Sequence, residues 1–282
     1  MKLSFTKMHG CGNHYIYVNC FHQPIPESPT ALSMRLSEPH FGIGGDGLIL
    51  ILPSDRADAQ MRIFNADGSE GKMCGNGIRC VGKYLYDYNM TNGREKITID
   101  TLSGIKSLQL LLSDGKCNAA RVDMGAAILR PQDIPVLLEG ETVIDTPLVL
   151  DEKVYHITCV SMGNPHCVVF LKEDIDTLDL SRLGPKFEHN PIFPARVNTE
   201  FVNVLSDGAL KMRVWERGSG ETWACGTGAC AVGVAACLTG YAKKNQPITL
   251  HLRGGDLTVQ YTDETVWMTG EAVTVFEGEI EL

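Results

Sequence analysis

The sequence lacks an apolar run of the roughly 20 residues that a membrane-spanning helix needs, and residues 1–5 do not begin the apolar stretch of a secretion signal. It also lacks an excess of positive charge, since 25 Lys and Arg stand against 34 Asp and Glu, for a net charge of −9. These absences disfavour membrane proteins and nucleic-acid-binding proteins. We expect a cytoplasmic protein with neither kind of partner.

No Cys-x-x-Cys pair occurs among the ten cysteines, although that spacing is typical of zinc and redox sites. The nearest candidates, Cys11 with His14 and His166 with Cys167, do not make a compact set of four ligands. A metal-binding or redox protein is therefore the less favoured alternative, which elemental analysis of the purified protein would test. We expect no metal, and cysteines in the reduced form.

What the sequence does have is an internal repeat. Cys74-Gly75-Asn76-Gly77 recurs as Cys225-Gly226-Thr227-Gly228, an offset of 151 (225 minus 74). The same offset aligns 12–13 with 163–164, 61–64 with 212–215 and 97–99 with 248–250. One register held across each half of the chain is typical of a duplicated domain. The 282 residues, 44% of them hydrophobic, are enough for two cores.

Each half has the same predicted elements. A strand (15–19; 167–171) comes first, the glycine-rich loop follows, and an apolar helix (78–88; 229–239) comes after the loop, the second helix ending at Gly240. We therefore predict an α+β protein of two pseudo-symmetric duplicated domains, each a mixed, mostly antiparallel β-sheet or barrel around a central helix. The predicted domains are residues 1–125 and 126–270, with a proline-containing linker within 123–147.

Each repeated cysteine directly precedes the glycines that open a predicted helix. Backbone N–H groups of a first helical turn stabilise a thiolate and bind a carboxylate. Duplicated domains tend to pack about a pseudo-twofold axis, which would put Cys74 and Cys225 on opposite sides of one ligand. A base on one face and an acid on the other is the arrangement that inverts a stereocentre by proton transfer. The repeat therefore predicts an amino-acid epimerase.

The alternative interpretation of either loop taken singly is an inert buried cysteine before a helix, since cysteine is a common small apolar residue in cores. The in-register duplication favours a catalytic role for Cys74 and Cys225. The other eight cysteines have no such partner, and we expect them to be structural.

Several motifs resemble those of the diaminopimelate epimerase family. They are Asn-Ala-Asp-Gly-Ser-Glu at 65–70, Met-Cys-Gly-Asn-Gly-Ile-Arg-Cys at 73–80, Trp-Glu-Arg-Gly at 215–218 and Ala-Cys-Gly-Thr-Gly at 224–228, with shorter matches at 7–13, 41–44, 163–166 and 196–198. The resemblance covers essentially the whole chain. It implies interconversion of LL- and meso-diaminopimelate without pyridoxal phosphate or metal, for lysine and peptidoglycan synthesis, by a homodimer. It also suggests that a strand at 271–282 completes the first domain.

The resemblance implies roles for individual residues. Cys74 and Cys225 would be the acid and base, tuned by His166 and Glu216. The substrate-binding residues would be Asn13, Asn65, Asn164 and Asn198 for hydrogen bonds, Glu216 and Arg217 for the distal amino and carboxylate groups, and Gly75, Asn76, Gly226 and Thr227 for the α-carboxylate. Arginine suits a carboxylate because it binds bidentately. From residue type alone, the asparagines could equally be turn residues and His166 a core histidine.

Two positions depart from the family pattern: His14 stands where many members have Asp, and Gly47 where some have Gln. Related alternatives are a proline or hydroxyproline racemase and a phenazine-type isomerase. Proline racemases usually have His where Asn76 stands, and phenazine-type isomerases lack the cysteine pair. Glu216 and Arg217 also suit a substrate with a second charged end, which proline lacks.

Overall fold

The computed structural model describes residues 2–282 and divides into two compact units. Unit 1 comprises the chain up to Val122 together with Thr269–Leu282, and unit 2 comprises Asp123–Met268. Both units combine a mixed β-sheet with α-helices, so the predicted duplicated α+β fold is confirmed. Within residues 2–282, no helix combines the length and apolar character needed to cross a membrane.

Unit 1 begins with a hairpin and continues through two helices and further strands. Its elements, in chain order, are β1 (Lys2–Gly10), β2 (Asn13–Asn19), α1 (Pro29–Ser37), β3 (Gly47–Leu52), β4 (Ala59–Asn65), β5 (Glu70–Gly71), α2 (Gly75–Asp87), β6 (Lys96–Thr101), β7 (Gly104–Ser113) and β8 (Lys116–Asp123).

Unit 2 repeats this order after an irregular segment with a 3-10 turn at Pro131–Asp133. Its elements are β9 (Thr146–Leu150), β10 (Lys153–Ser161), β11 (Pro165–Phe170), α3 (Leu180–Glu188), β12 (Asn198–Val204), β13 (Leu210–Glu216), β14 (Gly220–Thr222), α4 (Gly226–Leu238), β15 (Ile248–Leu252) and β16 (Gly255–Tyr261). The chain returns to unit 1 through β17 (Val266–Glu271) and β18 (Val273–Glu281).

The strand pairing is the same in both units. Strands β2 and β3 pair in parallel, and β3 and β4 pair antiparallel with Leu48 opposite Phe64. In unit 2, β11 and β12 pair in parallel, and β12 and β13 pair antiparallel with Thr199 opposite Trp215. These pairs of unit 1 become those of unit 2 when 151 is added to each number. The repeat seen in the sequence is therefore a repeat of three-dimensional structure.

Each unit wraps its strands around one buried helix, α2 against β1, β2 and β7, and α4 against β10, β11, β12 and β16. A close approach recurs at equivalent glycines of the two helices. A Cβ on Gly82 would lie 2.9 Å from Leu108, and a Cβ on Gly233 would lie 2.5 Å from Val259. Both helices need a glycine there because no larger residue fits between helix and strand.

Both helices begin three residues earlier than the sequence predicts, at Gly75 and Gly226 instead of residues 78 and 229. The glycines of the loop form the first turn, although glycine has a low intrinsic helix propensity. Cys74 and Cys225 cap the two helices, and this capping stabilises first turns that glycine alone would not favour. Gly240 follows α4 with a φ of 83°, as expected of a glycine that ends a helix.

Residues 123–147, where the sequence predicts a linker, lie within unit 2. Ile134, Val136 and Val143 are buried in its core beside Phe187 and Phe201. The prolines of this segment therefore shape an irregular but packed stretch of the unit.

Candidate active site

Cys74 and Cys225 are the N-cap residues of α2 and α4. The Sγ of Cys74 accepts a hydrogen bond from Gly77 N at 3.3 Å, and the Sγ of Cys225 accepts one from Gly228 N at 3.4 Å. Serine, threonine and aspartate usually fill this position, because their side chains accept from the first-turn N–H groups. Each sulfur therefore lies at the positive end of a buried helix, where a thiolate is stabilised.

In unit 1, the side chain of Asn13 links the cysteine to its surroundings. Its Oδ1 accepts from Cys74 Sγ at 3.4 Å and from Asn76 Nδ2 at 3.3 Å. Its Nδ2 donates to Asp46 Oδ2 at 2.7 Å. Asn13 follows the two-residue turn of Cys11 and Gly12, both with positive φ (52° and 75°), which is the geometry that tight hairpins require. The turn thus presents Asn13 to the cysteine loop.

His14, one of the two departures from the family pattern, pairs with the same carboxylate. Its backbone N donates to Asp46 Oδ2 at 2.9 Å, and its ring Nε2 lies 3.7 Å from Asp46 Oδ1. Burial lowers the pKa of His14, while Asp46 opposes that shift. The His14 ring is therefore mainly neutral at pH 7. The carboxylate of Asp46 also accepts the hydrogen bond from the Asn13 side chain.

Gly47, the second departure, lies where a side chain cannot fit. A Cβ there would be 2.0 Å from the backbone oxygen of Phe64 on the neighbouring strand. We expect Gly47→Gln to lower the free energy of unfolding by about 3 kcal/mol, measured by chemical denaturation. Gly115→Gln is the control, because no atom lies within 4 Å of its Cβ position and it should cost about 1 kcal/mol from its turn conformation alone. Equal losses would contradict the steric explanation.

In unit 2, Cys225 is buried and faces carboxylates. Burial raises the pKa of Cys225 well above its ordinary range, and the negative charges of Glu216 and Glu200 add to this. Burial also raises the pKa of Glu216, against hydrogen bonds from Thr222 and Cys225 and the nearby His166. Because a thiol next to a carboxylate is the less acidic of the two groups, Cys225 holds its proton in this environment.

The side chains of Asn164 and His166 lie next to the loop of Cys225. Asn164 Nδ2 donates to Thr227 Oγ1 at 3.3 Å, and Thr227 Oγ1 lies 3.5 Å from Cys225 Sγ. The fully buried ring of His166 has its Nε2 3.1 Å from Asn164 Oδ1. The structure therefore connects His166 to Cys225 through two intervening side chains.

Asn198 is buried and holds the loop that carries Arg217. Its Nδ2 donates to Pro165 O at 3.2 Å, and its Oδ1 accepts from Arg217 N at 2.9 Å. The exposed guanidinium of Arg217 donates to Ala195 O at 3.0 Å. The amide of Asn198 is thus used to fix the start of the 217–219 turn.

Asn65 is the last residue of β4, and its Nδ2 donates to Ser69 Oγ at 3.0 Å across the turn that leads to β5. The remaining predicted residues belong to the helix starts: Gly75 and Gly226 are the first helical residues, and Asn76 and Thr227 follow them. The structure thus brings Asn13, Asn76 and Cys74 together in unit 1. In unit 2 it brings together Asn164, His166, Glu216, Cys225 and Thr227.

Sequence reasoning missed three charged residues around these loops. Asp46 binds Asn13, Glu200 lies against His166, and Arg79, fully buried in α2, donates to Gly75 O at 3.2 Å. A charged residue beside apolar neighbours, as in Glu200-Phe201-Val202 and Ile78-Arg79-Cys80, is the signal that could have found Glu200 and Arg79. Across residues 2–282, no group of three or more His, Cys, Asp and Glu side chains is arranged to hold a metal ion.

The sequence model of the diaminopimelate epimerase family matches residues 5–129 and 158–275. The chain belongs to the diaminopimelate epimerase family. It is 54% identical to the diaminopimelate epimerase of Acetivibrio thermocellus, with 99% of each chain covered. It is 52% identical to that of Methanococcus maripaludis, over 99% of this chain and 100% of the other. The protein is therefore an enzyme of the isomerase class, and the predicted family is confirmed.

Solved structures of other enzymes share the fold. A hydroxyproline epimerase from Agrobacterium vitis matches with a TM-score of 0.72 at 18% identity, covering 100% of this chain and 93% of the other. A PhzF-family phenazine biosynthesis protein from Bacillus anthracis matches with a TM-score of 0.70 at 16% identity, covering both chains completely. The alternatives considered from the sequence thus share the architecture, whereas the family assignment lies with diaminopimelate epimerase.

Proposed function

We propose that this enzyme interconverts LL- and meso-2,6-diaminopimelate without pyridoxal phosphate, using Cys74 and Cys225 as the two acid–base groups. The observation that carries the proposal is the duplicated cap, in which each sulfur accepts an N–H from the third residue of its helix, at 3.3 and 3.4 Å. Inversion needs one such group on each face of the substrate carbon, and the chain supplies one from each copy of the repeat.

In the reaction, one thiolate removes the α-proton while the other sulfur, protonated, donates its proton to the opposite face of the carbon. The electron pair left by the first proton forms the new C–H bond, so one turnover leaves the two sulfurs with exchanged protonation states. The surroundings of Cys225 favour its thiol form. Cys225 therefore acts as the acid when it starts protonated, and as the base in the reverse reaction.

The α-proton of an amino acid is only weakly acidic, so the developing negative charge must be stabilised strongly. The first-turn N–H groups of α2 and α4 are suited to hold the α-carboxylate, since the glycines allow close approach to the backbone. Asn13 and Asn164 stand beside these turns and supply further amide groups. The same helix ends would thereby hold the substrate and activate the sulfurs.

Substrate choice is proposed to depend on Glu216 and Arg217 at the end of β13. Arg217 presents an exposed guanidinium on a loop fixed by Asn198, which suits the distal carboxylate of a diacid. We further propose, from the family assignment, a cytoplasmic homodimer that serves lysine and peptidoglycan precursor synthesis. Analytical ultracentrifugation would test the dimer.

Incubation of the purified enzyme with LL-diaminopimelate in deuterated water tests the reaction. We expect meso product carrying deuterium at the inverted α-carbon, because the donated proton comes from a sulfur that exchanges with solvent. Proton NMR would follow the loss of the α-signal, and mass spectrometry the gain of one mass unit. L-Proline is the control substrate and should not react. Absence of both meso product and deuterium would rule out the proposal.

A further inference from the structure

Glu200 has one carboxylate oxygen bound and one without a partner. The side chain is fully buried on β12, and its Oε1 lies 2.7 Å from Nδ1 of His166, which is also fully buried. Its Oε2 is buried and makes no hydrogen bond to any of residues 2–282. A buried carboxylate that is only partly satisfied is costly, so its presence calls for a role beyond packing.

A continuous series of contacts leads from Glu200 to the sulfur of Cys225. His166 Nε2 lies 3.1 Å from Asn164 Oδ1, Asn164 Nδ2 lies 3.3 Å from Thr227 Oγ1, and that oxygen lies 3.5 Å from Cys225 Sγ. Glu200 therefore lies at the buried end of a polar chain whose other end is the thiol. The orientation of each member depends on the one behind it.

The equivalent position in unit 1 lacks this series of polar contacts. The positions 151 residues before Glu200 and His166 are Ile49 and Tyr15. A Cβ on Gly77 would lie 2.6 Å from Ile49 Cδ1, and a Cβ on Gly228 would lie 2.6 Å from Glu200 Oε1. The two side chains thus occupy equivalent places against the first helical turn. Isoleucine satisfies the packing there, so packing does not require the carboxylate of unit 2.

We propose that Glu200 is a positioning residue for the epimerisation. Its carboxylate accepts the Nδ1 proton of His166 and fixes the ring, which in turn holds Asn164 and Thr227 in place beside Cys225. The inference rests on the proposed function, because it assigns Glu200 to the half of the reaction that Cys225 performs. It also makes the two copies of the repeat chemically unequal, one with a carboxylate–histidine pair behind its thiol and one without.

The charge of Glu200 has a defined direction of effect on its neighbours. The titratable groups that face it are His166 and Cys167 from β11, Glu216 from β13 and Cys225 from the start of α4. Burial raises the pKa of Cys225 most, and the negative charges of Glu216 and Glu200 raise it further. Removing the charge of Glu200 lowers that pKa, so Cys225 loses its proton at a lower pH. The basic limb of the pH profile of kcat/KM should move downward.

Glu200→Gln tests the proposal, because it removes the charge and keeps the shape. We expect kcat to fall by about 10- to 100-fold with a smaller change in KM, and the basic limb of kcat/KM to move to lower pH. A downfield proton NMR signal from His166 Nδ1–H, assigned by its loss in His166→Gln, should shift in the variant. In the His166→Gln background, Glu200→Gln should have almost no further effect on kcat.

Asp100→Asn is the matched control, since Asp100 is another buried carboxylate, ion-paired with Arg56 in unit 1. It should leave the pH profile unchanged. A Glu200→Gln variant with the wild-type kcat and the wild-type basic limb would overturn the inference. It would also be overturned if Glu200→Gln lowered kcat as much in the His166→Gln background as in the wild type. If Glu200→Gln does not fold, Glu200→Asp decides: it should shift the His166 signal and lower kcat while keeping the basic limb. Activity in Cys225→Ala would instead refute the proposed function itself.

Discussion

Replacing Cys74 or Cys225 by alanine should each lower kcat for epimerisation by roughly 10³-fold or more, because inversion needs a proton donor and a proton acceptor at once. Any α-proton exchange that remains in a single variant should retain configuration, since the surviving sulfur reaches one face only. The double variant should be little worse than either single variant, as expected for groups that act as a unit. Deuterium exchange of both stereoisomers, followed by NMR, measures all three expectations.

Cys20→Ala and Cys237→Ala are the matched controls, one from each unit. Both thiols are half-buried, and burial raises their pKa, that of Cys20 to about 11. Neither caps a helix, and we expect wild-type kcat from both variants. An alanine variant at Cys74 or Cys225 that inverts the substrate at the wild-type rate would exclude the two-base mechanism.

Arg217→Gln should raise KM for diaminopimelate by roughly 100-fold, since a charge-assisted contact to a carboxylate contributes up to about 3 kcal/mol. The backbone N of residue 217 can still donate to Asn198, so the loop should keep its position. Steady-state kinetics in both directions would measure the change. The variant should also discriminate poorly between diaminopimelate and a mono-carboxylate analogue that lacks the distal carboxylate.

Arg182→Gln provides the comparison, because Arg182 is an exposed arginine on α3 of the same unit. It controls for the loss of one positive surface charge and should leave KM unchanged. If KM rose equally in the two variants, the cause would be the lost surface charge and not a contact of Arg217 with the substrate. Unchanged KM in Arg217→Gln would remove this residue from the substrate site.

The family and the duplicated α+β fold follow from the sequence because the offset of 151 is constant and each copy carries its own loop. The pairing of equivalent strands, such as Leu48 with Phe64 and Thr199 with Trp215, keeps that offset in three dimensions. Helix starts were harder to predict. Glycine gives no helical signal, so the first turns at Gly75 and Gly226 depend on the cysteine caps and on burial.

Side chains that support the cysteines could not be predicted, because their partners are distant in the chain. Glu200 meets His166 across 34 residues, since β11 and β12 pair in parallel, and Asp46 meets Asn13 across 33. No local pattern specifies such a register. Asn198 shows a different difficulty: its residue type does not reveal that its amide also holds Pro165 and Arg217.

The last strand of the chain has a consequence for biosynthesis. Strand β18 pairs with β1 along nearly its whole length, from Glu281 opposite Lys2 to Val273 opposite His9. During translation, β1 leaves the ribosome well before β18, because all of unit 2 is encoded between the two strands. Domains generally fold in the order in which they are made, whereas here all of unit 2 is synthesised before unit 1 can be completed. A chain without β18 would therefore keep β1 paired with β2 alone, and one edge of β1 would stay without a partner strand.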